Sequence, residues 1–487
     1  MPYFGTRRGA PAEGCEAMRP ISEKTYPDKL LPSRGAFRLS PVHIIPLSFL
    51  LAIAVGTLLL LIPAATAEGE TTDFLTALFT STTSVCVTGL VVVDTYAHWS
   101  LFGQAIILVL IQLGGLGIVT AISMVMLFLR RRFSLRNRAL LLDALNLDSR
   151  LGLLSFLTRI FKWTLLVEGL GAALYCFEFI PRFGPAKGIW VSVFTSISAF
   201  CNAGIDIIGA DSLHGYAGSP LILFVTMGLI VLGGLGYIVW FDLGRCVQDG
   251  IRLRFTPRQA FRRLGEHTRL VLRLTLALIL LGAALIYLAE YRNPATFGGM
   301  SAWDKIMNSL FQSVTFRTAG FYAVPQENLS DFSCLVGFFW MFIGGSPIGT
   351  AGGVKTVTMF LVLANAVSYA NARKGTTLFR RRISDELMQK ASAIVMISFI
   401  TLFVSALLLL LLEPVTLVDG LFEATSAVAT VGLSRGLTAS LHTAGRIVII
   451  ATMYLGRIGP ISMALFLARP RPGKNSVTYG EGKFYVG

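Results

Sequence analysis

The chain has 487 residues, of which 54% are hydrophobic and only 14% are charged. Because a soluble globular domain carries roughly 25% charged residues, this composition excludes an ordinary soluble protein and indicates several membrane-spanning helices. The formal net charge is +15, but the Lys and Arg residues cluster between apolar runs and form no aromatic-interleaved basic groove. A nucleic-acid partner is therefore not expected.

The basic clusters orient the chain in the membrane. They lie at residues 129–138, 252–263 and 371–382, whereas residues 65–103 contain no Lys or Arg. Under the positive-inside rule the clusters mark the cytoplasmic side. The first 40 residues are largely polar and do not resemble a signal peptide. We therefore expect a multi-pass protein of the cell (plasma) membrane, in contact with membrane lipid, with both termini in the cytoplasm.

Taken in chain order, the apolar runs repeat four times as a long, a short and a second long piece. In the second copy these pieces are Phe161–Ile180, Ile189–Gly204 and Leu221–Phe241, each long piece being expected as one span. We assign a cytoplasmic N-terminal segment at 1–40, repeat 1 at 41–130, repeat 2 at 158–243, repeat 3 at 268–371 with a broken second helix, repeat 4 at 390–469 and a cytoplasmic tail at 470–487.

The short pieces end in similar lines, each closing on a glycine. The lines are TSTTSVCVTGL (80–90), TSISAFCNAGI (195–205), QSVTFRTAGF (312–321) and TSAVATVGL (425–433). Their glycines are 115, 116 and 112 residues apart, and one motif at nearly equal spacing marks an internal repeat. The pattern predicts an all-α polytopic membrane protein in which four repeats surround a central pore with pseudo-fourfold symmetry.

A short piece cannot cross the bilayer and return as helix, so we expect it to enter as a half-helix and come back as extended chain. Non-helical backbone at membrane depth must be buried or line a watery cavity, and rings of backbone carbonyls can replace the water shell of K⁺. An ordinary helix-ending glycine is the alternative at any one site. The predicted potassium-binding triplets are Val87, Thr88 and Gly89; Asn202, Ala203 and Gly204; Thr318, Ala319 and Gly320; and Thr430, Val431 and Gly432.

The stretch GGSPIGTAGGVKT (Gly344–Thr356) resembles a phosphate-binding loop, but Val354 separates Gly353 from Lys355 and both flanks are apolar. A continuous helix from Leu335 to Ala370 would be about 54 Å long, which exceeds a hydrocarbon core of about 30 Å. We therefore expect the centre to unwind into a flexible loop below the pore, with a costly intramembrane charge at Lys355. We predict that this loop acts as a gate. Its residues are Gly344, Gly345, Ser346, Pro347, Gly349, Thr350, Gly352, Gly353 and Lys355.

Four ordered motifs carry a resemblance to a known family. They are IQLGGLGI (111–118), FIGGSPIGTAGGVKT (342–356), LFEATSAVATVGLS (421–434) and MYLGRIGP (453–460). From about residue 40 onward the chain resembles the membrane subunit of the Ktr/Trk/HKT family of potassium transporters, and most closely its KtrB branch. Phe316, before Arg-Thr-Ala-Gly, and the SPIGTAGG segment depart from the commonest family patterns.

The resemblance implies a bacterial potassium-selective pore of four M1–P–M2 repeats, with K⁺ as the transported ion and no organic cofactor. It also implies a homodimer, a separately encoded cytoplasmic ring of nucleotide-binding subunits (KtrA/KtrC-like), and the gate role of the glycine-rich loop. Glycine in all four triplets is similar to the potassium-selective members. Sodium coupling and sodium activation both stay open.

Charged residues near the membrane allow alternative interpretations. The resemblance gives Arg457 a barrier or gate-latching role, whereas a structural pair with Glu168 or Glu290 is the alternative. We expect Arg317 near the pore mouth or bracing its loop through hydrogen bonds. Outward carboxylates are expected either to concentrate cations or to be simply solvated; they are Asp73, Asp94, Asp206, Asp211, Asp304, Asp331 and Glu423.

Two other functional classes fit less well. A secondary carrier has two inverted halves in many folds, whereas these four repeats share one orientation. A membrane-embedded enzyme is not indicated, because the chain contains no His-Glu-x-x-His or Gly-x-Ser-x-Gly motif. The glycine-rich segments 112–117 and 231–236, together with Gly456, Gly459 and Pro460, suit a kink with close helix contact.

Overall fold

The computed structural model describes residues 41–117, 120, 153–253, 256–373 and 375–459. The expectations for the segment 1–40, the basic cluster 129–138 and the tail 470–487 lie outside the described residues, as do the ends of repeats 1 and 4.

The described chain is almost entirely α-helical. Its first half contains α1 (Pro41–Leu60), α2 (Phe74–Cys86), α3 (Thr95–His98), α4 (Leu101–Gly115), α5 (Leu153–Phe183), α6 (Pro185–Cys201), α7 (Pro220–Leu235) and α8 (Tyr237–Leu253). Its second half contains α9 (Pro257–Arg263), α10 (Glu266–Glu290), α11 (Ala302–Thr315), α12 (Asp331–Phe342), α13 (Thr356–Ala370), β1 (Thr377–Leu378), β2 (Arg381–Arg382), α14 (Asp385–Leu412), α15 (Leu417–Ala429), α16 (Leu437–Ser440) and α17 (Thr443–Ile458). The strands β1 and β2 form a small antiparallel hairpin.

Four short helices, α2, α6, α11 and α15, lead into the predicted triplets. Asp73, Ser301 and Thr416 cap the starts of α2, α11 and α15 by accepting backbone N–H groups. Pro185 lies in the first turn of α6, where its missing N–H costs no hydrogen bond. Local sequence signals therefore fix where each short helix begins.

The short helices lie inside the protein and the long helices surround them. Each of α2, α6, α11 and α15 packs on the long helix that precedes it in the chain. Each also carries at least one fully buried phenylalanine: Phe79 in α2, Phe194 and Phe200 in α6, Phe311 in α11 and Phe422 in α15. The long helices instead expose leucines on their outer sides, as at Leu411, which is 79% exposed. Such an outward apolar face suits contact with lipid.

Within the described residues, three helices are long and apolar enough to cross a membrane alone, namely Phe156–Phe183, Glu266–Glu290 and Asp385–Leu412. The helices α7 and α8 pass the same test only as a pair, and they bend by 100°. The long piece Leu221–Phe241 is therefore broken rather than straight, and the kink expected in the glycine-rich segment 231–236 is present. Gly236 stands between the two helices with φ 87°, a conformation that glycine adopts readily and other residues avoid.

The second long piece of the third repeat is also interrupted. Helix α12 ends at Phe342 and α13 begins at Thr356, and the segment between them is hereafter the 343–355 loop. Ile343 and Val354 form an isolated parallel bridge across its base. The chain therefore leaves the end of α12 at Ile343 and returns to the same place at Val354 before α13 begins.

Candidate functional site

Each predicted triplet begins with a residue in the left-handed region of backbone conformation. Val87, Asn202, Thr318 and Thr430 have φ between 50° and 64°. A residue other than glycine rarely adopts positive φ, and such strain persists only where the surroundings impose it. The same unusual conformation at four corresponding positions indicates that the triplets are copies of one structural motif.

The strain reverses the chain direction directly after each short helix. In the first, second and fourth triplets the middle amide donates to a carbonyl five residues earlier, at 2.8 Å in every case. In the third, Ala319 donates to the carbonyl of Thr315 at 3.0 Å. These bonds satisfy the helix ends and send the chain back as extended backbone.

Hydroxyl groups of the short helices hold the returning strands. The amide of Gly89 donates to Thr83 Oγ1, and that of Gly432 donates to Ser426 Oγ, both at 3.0 Å. In the other two repeats a hydroxyl donates to a carbonyl just after the glycine, from Ser198 to Ile205 and from Thr315 to Phe321, each at 2.5 Å. The sequence analysis missed these hydroxyls, although a Ser or Thr six residues before three of the glycines signals them.

The four glycines approach one another in a closed cyclic order. A methyl group on each glycine would lie 2.2 to 2.7 Å from the middle carbonyl oxygen of the next triplet. The pairs are Gly89 with Ala203, Gly204 with Ala319, Gly320 with Val431, and Gly432 with Thr88. Since any side chain would collide with these oxygens, the ring admits only glycine at its four corners.

The ring brings four glycines and four middle carbonyl oxygens close together. The side chains of the first and middle residues are at most 1% exposed, and none of the twelve triplet residues carries a charge. Backbone carbonyls carry partial negative charge and are hard oxygen donors. Such a ring can coordinate a dehydrated monovalent cation.

The 343–355 loop lies directly against three of the triplets. Thr350 Oγ1 donates to Asn202 Oδ1 at 3.0 Å, and the amide of Gly352 donates to Thr318 Oγ1 at 3.2 Å. A methyl group on Gly352 would lie 1.9 Å from Thr430 Oγ1. The loop therefore packs under the first residues of the ring.

Internal hydrogen bonds close the 343–355 loop. The amide of Gly344 donates to the carbonyl of Val354 at 3.0 Å, and the amide of Val354 donates to that of Phe342 at 3.1 Å. Lys355 Nζ donates to the carbonyl of Ala351 at 2.6 Å. The ammonium group thus remains within the loop, where a carbonyl dipole partly compensates its charge.

The remaining predicted loop residues also lie in this segment. Ser346 donates its amide to the carbonyl of Gly234, and the carbonyl of Gly345 accepts from the amide of Thr356. A methyl group on Gly349 would lie 2.9 Å from the carbonyl oxygen of Gly233, and Gly353 has φ 66°. The loop is therefore held against the bend between α7 and α8 as well as against the triplets.

Arg457 on α17 clamps the 343–355 loop from another side. Its Nη1 donates to the carbonyl of Thr350 at 2.9 Å, and its Nη2 donates to that of Gly114 at 2.6 Å. The alternative of a pair with a carboxylate is wrong in the described structure. Glu168 instead accepts from Gln112, and Glu290 accepts from hydroxyl and amide groups of its own repeat.

Arg317 is not at the outer mouth. It is only 6% exposed and lines a small cavity together with Gly234 and Gly345, on the side of the 343–355 loop. Its Nε makes no hydrogen bond within the described residues. The expectation of a place at the mouth is therefore wrong.

The outward carboxylates have different roles. Asp73 and Asp94 cap helices, whereas Glu423 is buried inside α15 and accepts from Ser434 and Thr438. Glu423 is therefore not part of an exposed mouth. Asp206, two residues after Gly204, lies in the loop that follows the second triplet, and burial together with the nearby Asp94 raises its pKa to about 6.

Comparison with known proteins identifies a family. Residues 42–479 match the sequence profile of TrkH, described as a cation transport protein. The Ktr system potassium uptake protein B of Bacillus subtilis is 33% identical over 92% of this chain and 97% of its own length. The Vibrio alginolyticus protein of the same name is 35% identical over 88% and 92%, and the potassium/sodium uptake protein NtpJ of Enterococcus hirae is 33% identical over 94% and 100%.

A solved structure shares the fold. The potassium transporter TrkH of Vibrio parahaemolyticus superposes with a TM-score of 0.71, covering 90% of this chain and 87% of that one at 16% sequence identity. These findings confirm the resemblance drawn from the four sequence motifs.

Proposed function

The chain belongs to the TrkH family of cation transport proteins, and on this premise we propose that it takes up potassium across the cell membrane through a pore lined by the four triplets. The observation that carries the proposal is the cyclic ring of glycines, in which each neighbouring carbonyl oxygen excludes any side chain. Backbone oxygens replace the hydration shell of K⁺, and the membrane potential drives its entry.

The architecture supports this proposal. Four short helices each pack on the long helix that precedes them, which supports an arrangement of four M1–P–M2 repeats with pseudo-fourfold symmetry. We retain the repeat boundaries 41–130, 158–243, 268–371 and 390–469 as part of the proposal, with both termini in the cytoplasm. Helices α2, α6, α11 and α15 enter from the outside and present their triplets to the axis.

The 343–355 loop is proposed to be the gate between this ring and the cytoplasm. Its contacts with Asn202, Thr318 and Thr430 support this role, because an ion that leaves the ring on that side would have to pass the loop. Lys355 and Arg457 add positive charge on both sides of Thr350, and a cation in a low-dielectric passage meets an electrostatic barrier there.

Partners and ion coupling follow from the relatives. The names of the Bacillus and Vibrio proteins refer to a Ktr system, which supports a transporter with more than one component. From the family resemblance we further propose a homodimer controlled by a separate cytoplasmic nucleotide-binding ring. The name of the Enterococcus protein includes sodium, which supports sodium dependence in addition to potassium transport. No organic cofactor enters the proposed mechanism.

Potassium flux into liposomes containing the purified protein tests the ring. A methyl group at Gly89 would lie 2.4 Å from the carbonyl oxygen of Ala203, so Gly89→Ala should lower potassium flux by about tenfold or more. Gly209→Ala is the matched control, because a methyl group there meets nothing within 4 Å. Equal flux through the two variants would overturn the assignment of the ring.

A further inference from the structure

We propose that helix α8 is a lever that sets the position of the 343–355 loop, acting through the glycine bend at its start. The inference rests on the proposed gate function of that loop and adds the element that would control it. The helix leaves the path of α7 at an angle of 100°, so it runs across the end of the bundle rather than along it.

Three backbone hydrogen bonds join the bend to the loop. The amide of Thr350 donates to the carbonyl of Gly233 at 3.1 Å, and the amide of Ser346 donates to that of Gly234 at 2.9 Å. In the opposite direction, the amide of Tyr237 donates to the carbonyl of Ile348 at 2.9 Å. Because these bonds join backbone to backbone, a displacement of the bend reaches the loop without loss through side-chain rotation.

Close approach makes the bend and the loop one packed unit. A methyl group on Gly236 would lie 2.4 Å from the carbonyl oxygen of Pro347, and one on Gly233 would lie 2.6 Å from Thr350 Oγ1. Ile348, at the tip of the loop, has φ 60°. A residue other than glycine holds such a conformation where its surroundings impose it, and here the surroundings are the bend itself.

Thr350 connects the lever to the ring. Its amide bonds to Gly233, its hydroxyl donates to Asn202 Oδ1 at 3.0 Å, and its carbonyl accepts from Arg457. A displacement of Gly233 therefore strains two contacts of Thr350 at once, namely its hydrogen bond to Asn202 in the second triplet and its hydrogen bond from Arg457. Opening would require the bend, the 343–355 loop and Arg457 to move together.

The first half of α8 is anchored to the next membrane helix. Asp242 Oδ2 accepts the amide of Gly265 at 2.8 Å, directly before the start of α10. Closer to the bend, Trp240 Nε1 donates to the carbonyl of Leu232 at 2.9 Å and braces the bend. The start of α8 is thus held on two sides, so a displacement of this part of the helix moves the bend.

Potassium flux into liposomes tests the lever with two pairs of variants, each in the full-length chain and in a chain lacking residues 346–352. Gly236→Ala should push the loop away and raise flux several-fold, whereas Gly228→Ala, where a methyl group meets nothing within 4 Å, should not. Asp242→Ala should raise flux by releasing the start of α8 from Gly265, whereas Asp249→Ala, exposed on the same helix, should not. Both increases should vanish in the deleted chain.

Each outcome has one meaning. If the deletion raises flux but Gly236→Ala and Asp242→Ala leave it unchanged, the lever is refuted and the gate stands. If the two variants alter flux equally with and without residues 346–352, they act elsewhere and the lever is again refuted. If the deletion itself does not raise flux, the gate function fails and the lever fails with it. Asp242→Ala makes no new collision, so it still decides the matter should Gly236→Ala not fold.

Discussion

At the scale of single residues, the ring depends on the absence of side chains at its four glycines. Gly89 and Gly432 meet neighbouring carbonyl oxygens at distances that leave no room for a methyl group. The strained residue at the head of each triplet, such as Thr430 with φ 50°, turns the chain so that this approach is reached. The chemistry resides in the backbone, and side chains serve to hold it.

Asp206 gives the outer mouth a dependence on pH. Its pKa is raised from 3.8 to about 6, so the carboxylate is charged above that pH and neutral below it. The charged form attracts cations toward the ring. Potassium uptake should therefore fall as the external pH drops from 7 to 5, with a midpoint near the pKa.

Two variants separate this effect from a general loss of activity in acid. Asp206→Asn should have at all pH values the low uptake that the unmodified protein has in acid. Asp211→Asn, an exposed carboxylate of the same loop, should keep the normal profile. A pH dependence that persists in Asp206→Asn would assign the titration to another group.

The sequence was sufficient to predict that the four glycines are corresponding positions, because their nearly equal spacing reveals a repeat. It did not place Arg317 or Glu423 correctly. A charge next to a triplet was expected outside because burial in the membrane is costly, yet Arg317 lies beside Gly345 and Glu423 is satisfied by two hydroxyl groups. Compensation by distant partners cannot be read from local sequence.

At the scale of elements, caps and bends decide where each helix stops. Glu413, at the end of α14, is 5% exposed and accepts the amides of His442 and Gly445 at 3.1 Å. It also contacts His442 Nδ1 at 2.7 Å. One buried carboxylate therefore joins the end of α14 to the start of α17.

Removing this carboxylate should destabilise the fourth repeat. Glu413→Ala leaves buried donors unsatisfied, at a cost of about 1–3 kcal/mol each, and should lower the midpoint of thermal unfolding measured in detergent. Glu386→Ala, exposed in the first turn of the same helix, should change it little. Equal midpoints for the two variants would show that Glu413 is not a structural anchor.

The place of the bend between α7 and α8 was predictable from the glycine-rich segment 231–236, but its angle of 100° was not. The residues from Leu221 to Phe241 are continuously apolar apart from small residues, so hydropathy favours one span. The break at Gly236 depends on the 343–355 loop, whose Pro347 carbonyl occupies the space beside it. A contact across more than a hundred residues of sequence decides the geometry. The break in the third repeat was predictable, since its cause is local in the sequence.

At the scale of the whole molecule, function follows from four similar units that differ where control is needed. Within the described residues, the ring uses all four units, the third carries the 343–355 loop, the second carries the bend that holds it, and the fourth supplies Arg457. A symmetric ring suits a spherical ion, and the 343–355 loop, which comes from a single repeat, suits regulation from one side. We infer that selectivity and gating are divided in this way among the repeats.

The most direct test of this account is parallel potassium and sodium flux into liposomes that hold the purified protein, either intact or lacking residues 346–352. We expect the deletion to raise potassium flux sharply while sodium flux stays low, because the ring is unchanged and the loop beneath it is gone. Potassium flux that does not rise in correctly inserted protein would contradict the gate. Sodium flux as fast as potassium flux would contradict the carbonyl ring as the source of selectivity.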